Sequence, residues 1–256
     1  MSQSAKGQTS SAITIKAIVI IVVVAIAYQY YINNFVDENV ISLGHFSYGL
    51  SSLAVGIIAF TVAKRYRGSP VFGKTYFALA IGFVLAFVGE LVYNYYSMVL
   101  FEDPYPSVAD VFFIAFYFFA AYHLIKNIKY FKKDLGSEAK LAVPAISIVM
   151  IVGFGLFTLE TFESDPDVYL MSMAYVVSSA VVLALALLGA AVFRHSVLGV
   201  AWLLLAAGIV GYSIADVWYY YLEEIEEYTL TNPVNTLWVL SNTLMIYALY
   251  KHKKTI

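Results

Sequence analysis

The sequence predicts an all-α polytopic membrane protein: an eight-helix bundle of transmembrane helices arranged as two parallel four-helix repeats, both termini cytoplasmic. Three observations predict it. The 256 residues are 61% apolar and only 12% charged, with a mean hydropathy of +0.78; a soluble domain is about 45–50% apolar and about 25% charged. Apolar runs long enough to cross a bilayer recur along the chain. Charge alternates from one connecting loop to the next. This composition excludes a soluble fold of this size, a disordered chain and a nucleic-acid binder with a basic surface. The absence of cysteine excludes a disulfide framework, a thiolate metal site and thiol catalysis.

A spanning helix needs about 20 mostly apolar residues, and eight segments qualify. Residues 13–32 form an Ile/Val/Ala run that is too long for the core of a signal peptide and is followed by Gln29 and tyrosines rather than a cleavage site. Residues 45–63 end at Lys64, and residues 75–98 carry Glu90. The fourth span, 107–125, opens after Pro106. The fifth, 141–159, contains Pro144, a source of a kink. Residues 168–193 stop at Arg194, and 197–221 carry Asp216. The last, 233–250, starts with Pro233, whose missing N–H costs nothing at a first helical position. Residues 1–12 are expected to be a disordered cytoplasmic N-terminus, 13–130 the first repeat, 141–250 the second, and 251–256 a basic cytoplasmic tail.

All 15 Lys and Arg residues fall on one side of this arrangement: Lys6 and Lys16; Lys64, Arg65, Arg67 and Lys74; Lys126, Lys129, Lys132, Lys133 and Lys140; Arg194; and Lys251, Lys253 and Lys254. Twelve of the 17 acids fall on the other: Asp37 and Glu38; Glu102 and Asp103; Glu160, Glu163, Asp165 and Asp167; and Glu223, Glu224, Glu226 and Glu227. The positive-inside rule places the basic side, with both termini, in the cytoplasm of a cell-membrane protein. The net charge of −2 conceals this segregation.

The duplication is read from residue pairs about 127 apart. Tyr48, Ser51, Ser52 and Arg67 recur as Tyr175, Ser178, Ser179 and Arg194. Ala80, Gly82, Glu90 and Tyr93 recur one residue out of phase as Ala206, Gly208, Asp216 and Tyr219. Four helices per unit make both units enter from the same side, giving parallel repeats about an axis along the membrane normal.

Three acids lie outside the loops: Glu90, Asp110 and Asp216. Topology puts all three at outer-leaflet depth. A carboxylate near the bilayer centre costs about 2.5–3.5 kcal/mol on insertion scales, so an intramembrane acid is first read as functional. Tyr93 and Asn94 follow Glu90 on the same helix face, and Ser213 and Tyr219 flank Asp216. The expected ligand- or proton-binding set is therefore Glu90, Tyr93, Asn94, Asp110, Ser213, Asp216 and Tyr219. Residues 76–88 and 198–210 contain almost nothing polar, which fits an outer pocket better than a pore.

Structural roles compete with each assignment. Ser107 and Asp110 have capping-box spacing. Glu90 and Asp216 also suit interhelical hydrogen bonding to tyrosines. Tyr95, Tyr96, Tyr105, Trp218, Tyr220 and Tyr221 suit an interfacial aromatic belt. The four histidines form no paired zinc motif, so no metal site and no cofactor are expected.

Two resemblances arise at these residues. The segment GELVYNYYSMVLFEDPYPSVADVFFIAFY, residues 89–117, resembles part of the N-terminal membrane domains of bacterial signalling proteins such as diguanylate cyclases, which implies a sensory module; no cyclase, kinase or PAS segment follows it here. Gly89–Glu90, Ser213 with Asp216, and a closing helix over 235–250 resemble the eight-helix lysoplasmalogenase-like (YhhN) family. That resemblance implies hydrolysis of a vinyl-ether lipid with Glu90 and Asp216 as acid–base catalysts, although the family has Asp at the first position and a shorter Ser–Asp spacing.

Three functions follow. The first is a non-enzymatic sensory, ligand-binding or accessory module with an outward polar pocket, acting in the lipid bilayer with a membrane-protein partner. The second is an intramembrane lipid hydrolase using Glu90 and Asp216. The third is a proton- or cation-coupled transporter. The sequence names no ligand.

Overall fold

The computed structural model describes residues 15–35, 41–131, 137–225, 227–229 and 231–255, with backbone only at 41–45, 137–140 and 142. Residues 1–12, Asp37, Glu38, Lys132, Lys133, Asp134 and Glu226 lie outside the described residues. The described chain is helical and has no strand: α1 (Ile15–Phe35), α2 (Ile41–Arg65), α3 (Phe72–Tyr95) with a π-helical turn (Tyr96–Leu100), α4 (Ala109–Phe131), α5 (Ser137–Phe157), a short α6 (Leu159–Ser164), α7 (Pro166–Phe193), α8 (Gly199–Glu224) and α9 (Pro233–Thr255).

Local chemistry sets the ends. The Ser69 hydroxyl accepts from the Phe72 N–H at 3.1 Å and opens α3. Asp165 caps α7 through the Val168 N–H, with Pro166 in the first turn. Asn232 does the same for α9, accepting from the Val234 N–H at 3.1 Å ahead of Pro233. α3 runs out through its π turn and stops at Phe101, which takes a left-handed φ of 55°. The segment expected as one span over 141–159 breaks at Thr158, whose hydroxyl donates back to the Phe154 carbonyl at 2.9 Å. α6 then forms from residues expected to be span end and loop.

Six of these helices (α1–α4, α7 and α8) are long and apolar enough to cross a membrane. Their outward faces carry exposed Ile, Val, Leu and Phe along their length. Exposed apolar area on this scale is not tolerated in water, so the chain is an integral membrane protein. α1 is the extreme case: 17% of its apolar window is buried, against 56% for α8. α9 is less apolar because Asn235, Ser241, Asn242 and Thr243 interrupt it.

Helices α2, α3, α4, α7, α8 and α9 contact one another in that order, and α9 returns to α2, closing a six-helix ring. α1 lies outside the ring against α9, and α5 lies outside against α7. Gln29 of α1 donates to the Thr231 carbonyl at 2.8 Å and accepts from the Thr236 hydroxyl. Ser147 of α5 donates to the Ala180 carbonyl at 2.8 Å. The α2–α9 seam is held by the Asn242 amide, which donates to Ser51 at 2.8 Å and Ser52 at 3.2 Å. At the α8–α9 seam a β-carbon on Gly208 would sit 2.4 Å from Met245 Cγ and 3.0 Å from the Ser241 carbonyl, so this contact requires glycine.

Candidate functional site: an aromatic cavity with two carboxylates

The ring encloses a cavity of about 60 Å³, to which all six of its helices contribute lining residues. Glu90 and Tyr93 come from α3, Asp216 and Tyr219 from α8. The two acids, more than a hundred residues apart in sequence, therefore share one cavity toward the C-terminal ends of their helices.

Asp216 is 4% exposed and is the best-held group in the site. Its Oδ2 accepts from the Tyr117 hydroxyl of α4 at 2.7 Å and the Ser179 hydroxyl of α7 at 3.0 Å. Its Oδ1 accepts from the indole N–H of Trp238 of α9 at 2.9 Å. A carboxylate buried among apolar helices requires such partners, and here three helices supply them. Glu90 is half-buried, and the Tyr48 hydroxyl of α2 hydrogen-bonds its carboxylate. Its stem lies over Gly49, where a β-carbon would be 3.1 Å from both Glu90 Cβ and Cγ. Gly49 thus brings α2 close enough for Tyr48 to reach the acid.

Around the acids the aromatic rings close on themselves. Trp238 contacts Tyr219 (5.3 Å between ring centroids), and Tyr219 contacts Tyr220 (5.0 Å). Tyr220 stacks on Tyr175 at 4.4 Å, and Tyr175 meets Tyr117 at 6.3 Å. Tyr117 meets Phe116 (5.1 Å), Phe116 meets Tyr212 (5.6 Å), and Tyr212 returns to Trp238 (6.5 Å). All seven rings line the cavity. Edge and offset contacts at these distances add stability beyond area burial.

The ring interior changes character along its length. Beneath the polar cavity is an apolar void of about 20 Å³, lined among others by Leu79, Phe83, Leu205, Ile209 and Met245. Farther along, Trp202 lies face to face with Phe193 at 4.2 Å and His123 at 5.8 Å, while Tyr76 contacts both His123 and His252. These fully buried side chains plug the end of the ring opposite the cavity.

The structure divides the expected site residues into two groups. Glu90, Tyr93, Asp216 and Tyr219 line the cavity, and Asn94, Asp110 and Ser213 do not. Asn94 donates to the Glu90 backbone carbonyl at 2.7 Å. Asp110 accepts from the Ser107 N–H at 2.6 Å, as its capping spacing predicts, and from the Tyr175 hydroxyl. Ser213 lines the apolar void beneath. Two residues expected in an aromatic belt turn inward instead. Tyr220 is buried in the collar, and Tyr105 bonds Ser172 at 2.8 Å. Burial raises the Tyr105 phenol above its ordinary value. Tyr95, Tyr221 and Trp218 do face outward. Trp238 was not singled out in the sequence. Its signal is Asn242, one helical turn along the same face of α9.

No protein-family model, curated protein or solved structure matches the chain.

Proposed function

We propose that this chain is a non-enzymatic binding module of the cell membrane, which takes a ligand from the outer side and acts as a sensor or accessory subunit through a membrane-protein partner. In this reading all eight long helices span the bilayer, both termini are cytoplasmic, and the two four-helix units are parallel repeats. The ring supports the duplication: exchanging α2, α3 and α4 for α7, α8 and α9 maps each seam onto another seam of the same ring. The positive-inside orientation puts the cavity in the outer half and the aromatic plug in the inner half.

The observation that carries the reading is the joining of Glu90 and Asp216 in one polar cavity whose other end is closed by apolar and aromatic layers. A cavity with a closed floor suits binding better than passage across the membrane. The chain has no native cysteine, which permits a direct test. Glu90→Cys and Tyr48→Cys are introduced singly, and intact cells are treated with a membrane-impermeant thiol reagent. Labelling from outside, at a rate within about tenfold of the loop control Glu102→Cys, is expected. Labelling only after permeabilisation would refute the orientation, and none at all would refute the water-filled cavity.

One observation favours a second reading, the lipid hydrolase. Two carboxylates in one cavity have the composition of a general acid–base pair. That reading requires Glu90→Gln and Asp216→Asn each to abolish release of aldehyde from a lysoplasmalogen, with the fold retained.

A further inference from the structure

We propose that the ligand of the ring cavity is a small organic ammonium ion, held by the aromatic collar and the carboxylates of Glu90 and Asp216. The inference rests on the binding-module reading and adds the chemical class of what is bound.

Charge is the first argument. Among the described residues, the cavity lining has two acids and no Lys, Arg or His. No cation among them stands against these two acids, a place that a cationic guest can fill. The rim has the same sign. Glu223 follows Tyr219 by one helical turn and hydrogen-bonds it, and Asp103 lies close enough to act on both Glu223 and Tyr93. Both carboxylate oxygens of Glu224 are buried with no hydrogen-bond partner among the described residues. No Lys or Arg occurs in the sequence between Lys74 and Lys126, or between Arg194 and Lys251. The segments that build this end of α3, α4, α8 and α9 thus carry acids alone, a distribution that concentrates cations at a cleft.

Ring chemistry is the second argument. The faces of Tyr, Trp and Phe carry negative quadrupole density, and cages of several rings are the usual receptors for methylated ammonium groups. Seven rings in mutual contact line the cavity and supply such surface, and Asp216 is fixed among them by Tyr117 and Trp238. Fixing the acid beforehand removes the cost of ordering it on binding. Size is the third argument. About 60 Å³ is about two waters' share of liquid volume, so the cavity admits a small head group and not a bulky ligand. The carboxylates stand on separate helices, and among the described residues no group of three or more His, Asp or Glu side chains converges as a metal site would require. Aromatic walls with two acids fit an organic cation.

The test uses the full chain in lipid nanodiscs. Choline and tetramethylammonium are titrated, with dimethylbutanol as the uncharged carbon isostere of choline. Binding is read by calorimetry and by the fluorescence of Trp238, isolated in a Trp202→Phe, Trp218→Phe background. Both ammonium ions are expected to bind, with the isostere at least tenfold weaker. Asp216→Asn and Glu90→Gln are each expected to weaken choline at least tenfold while leaving the isostere unchanged. Equal affinity for choline and its isostere in the wild-type protein overturns the proposal without recourse to any variant. So does the absence of binding by both ammonium ions. If position 90 is labelled from outside and no ammonium binds, the binding-module reading survives and the ligand class is wrong. If position 90 is never labelled, both fall.

Discussion

Replacing Asp216 in two ways separates its shape from its charge. Asp216→Asn keeps the planar end group. Its oxygen stays under the Trp238 N–H, and its amide nitrogen turns toward Tyr117 and Ser179, whose hydroxyls rotate to accept. Asp216→Ala strips the acceptor from all three donors, and the indole N–H has no other role to take. An interhelical hydrogen bond inside a membrane is worth about 0.6 kcal/mol on average and at most about 1.7. Three such bonds set the loss for Asp216→Ala at roughly 2 kcal/mol, with an upper bound of about 5. Asp216→Asn is expected to lose less than about 1 kcal/mol. The competing effect is relief: deleting a buried carboxylate also removes its desolvation penalty. The three donors decide that the loss wins. Reversible unfolding of the purified protein in mixed micelles, followed by helix content, measures both variants. An Asp216→Ala protein as stable as the wild type, or more stable, would refute the view that this acid is held by its donors. Equal losses in the two variants would refute the rotation of the hydroxyls.

Gly208→Val drives methyl groups into Met245 and the Ser241 carbonyl. It should cost about 1–3 kcal/mol by overpacking in the same unfolding assay, whereas a valine at Gly153, where nothing lies within 4 Å, should be nearly neutral. Trp202→Ala empties the centre of the aromatic plug between Phe193 and His123 and should cost about 3–5 kcal/mol; a smaller loss than Asp216→Ala would show that the plug is loosely filled. Tyr105 tests the loop ahead of α4. Its folded pKa lies above the unfolded value of about 10 because burial raises it, while its bond to Ser172 works the other way. Its contribution to stability is therefore whole below about pH 10 and is lost as pH rises beyond it. Tyr105→Phe should flatten the fall of melting temperature with pH above about pH 10, and an unchanged slope would show that other groups set it.

Most of the architecture was legible because hydropathy records a single variable, contact with lipid. Each expected span meets a helix to within a few residues at most ends, and six of these helices are long and apolar enough to cross a membrane; the caps at Ser69 and Asp165 were not singled out in the sequence. What was hidden depends on rotation about each helix axis. Tyr220 and Tyr221 are adjacent at the end of α8 and look alike as belt residues, yet one is 7% exposed and the other 42%. Their difference is set by the neighbours α8 faces, which no local pattern states. Trp238 stayed hidden for the same reason. Asp110 was ambiguous because its two oxygens do two jobs, capping α4 with one and meeting Tyr175 of α7 with the other.

The ring also explains why the acids converge. On the proposed duplication, a group that one repeat turns toward the axis is matched by its counterpart in the other, so two acids meet at the centre although no single repeat contains both. The match is not exact: Glu90 is reached by Tyr48 of the adjoining helix, whereas Asp216 is gripped from three helices. The two ends of the cavity are therefore unequal: one acid is half-buried and bonded by Tyr48 alone among the described residues, the other is held from three helices. A symmetric pair would suit a symmetric guest or a shared proton. An unequal pair suits a guest whose charged group is placed by the fixed acid and met by Glu90 from the other side. Reversing the two acids, Glu90→Asp with Asp216→Glu, tests this. The longer side chain at position 216 no longer fits under Trp238 and Tyr117 at once, so choline affinity should fall at least tenfold although the cavity keeps both charges. Undiminished affinity would mean that charge alone, and not the fixed geometry of Asp216, selects the ligand.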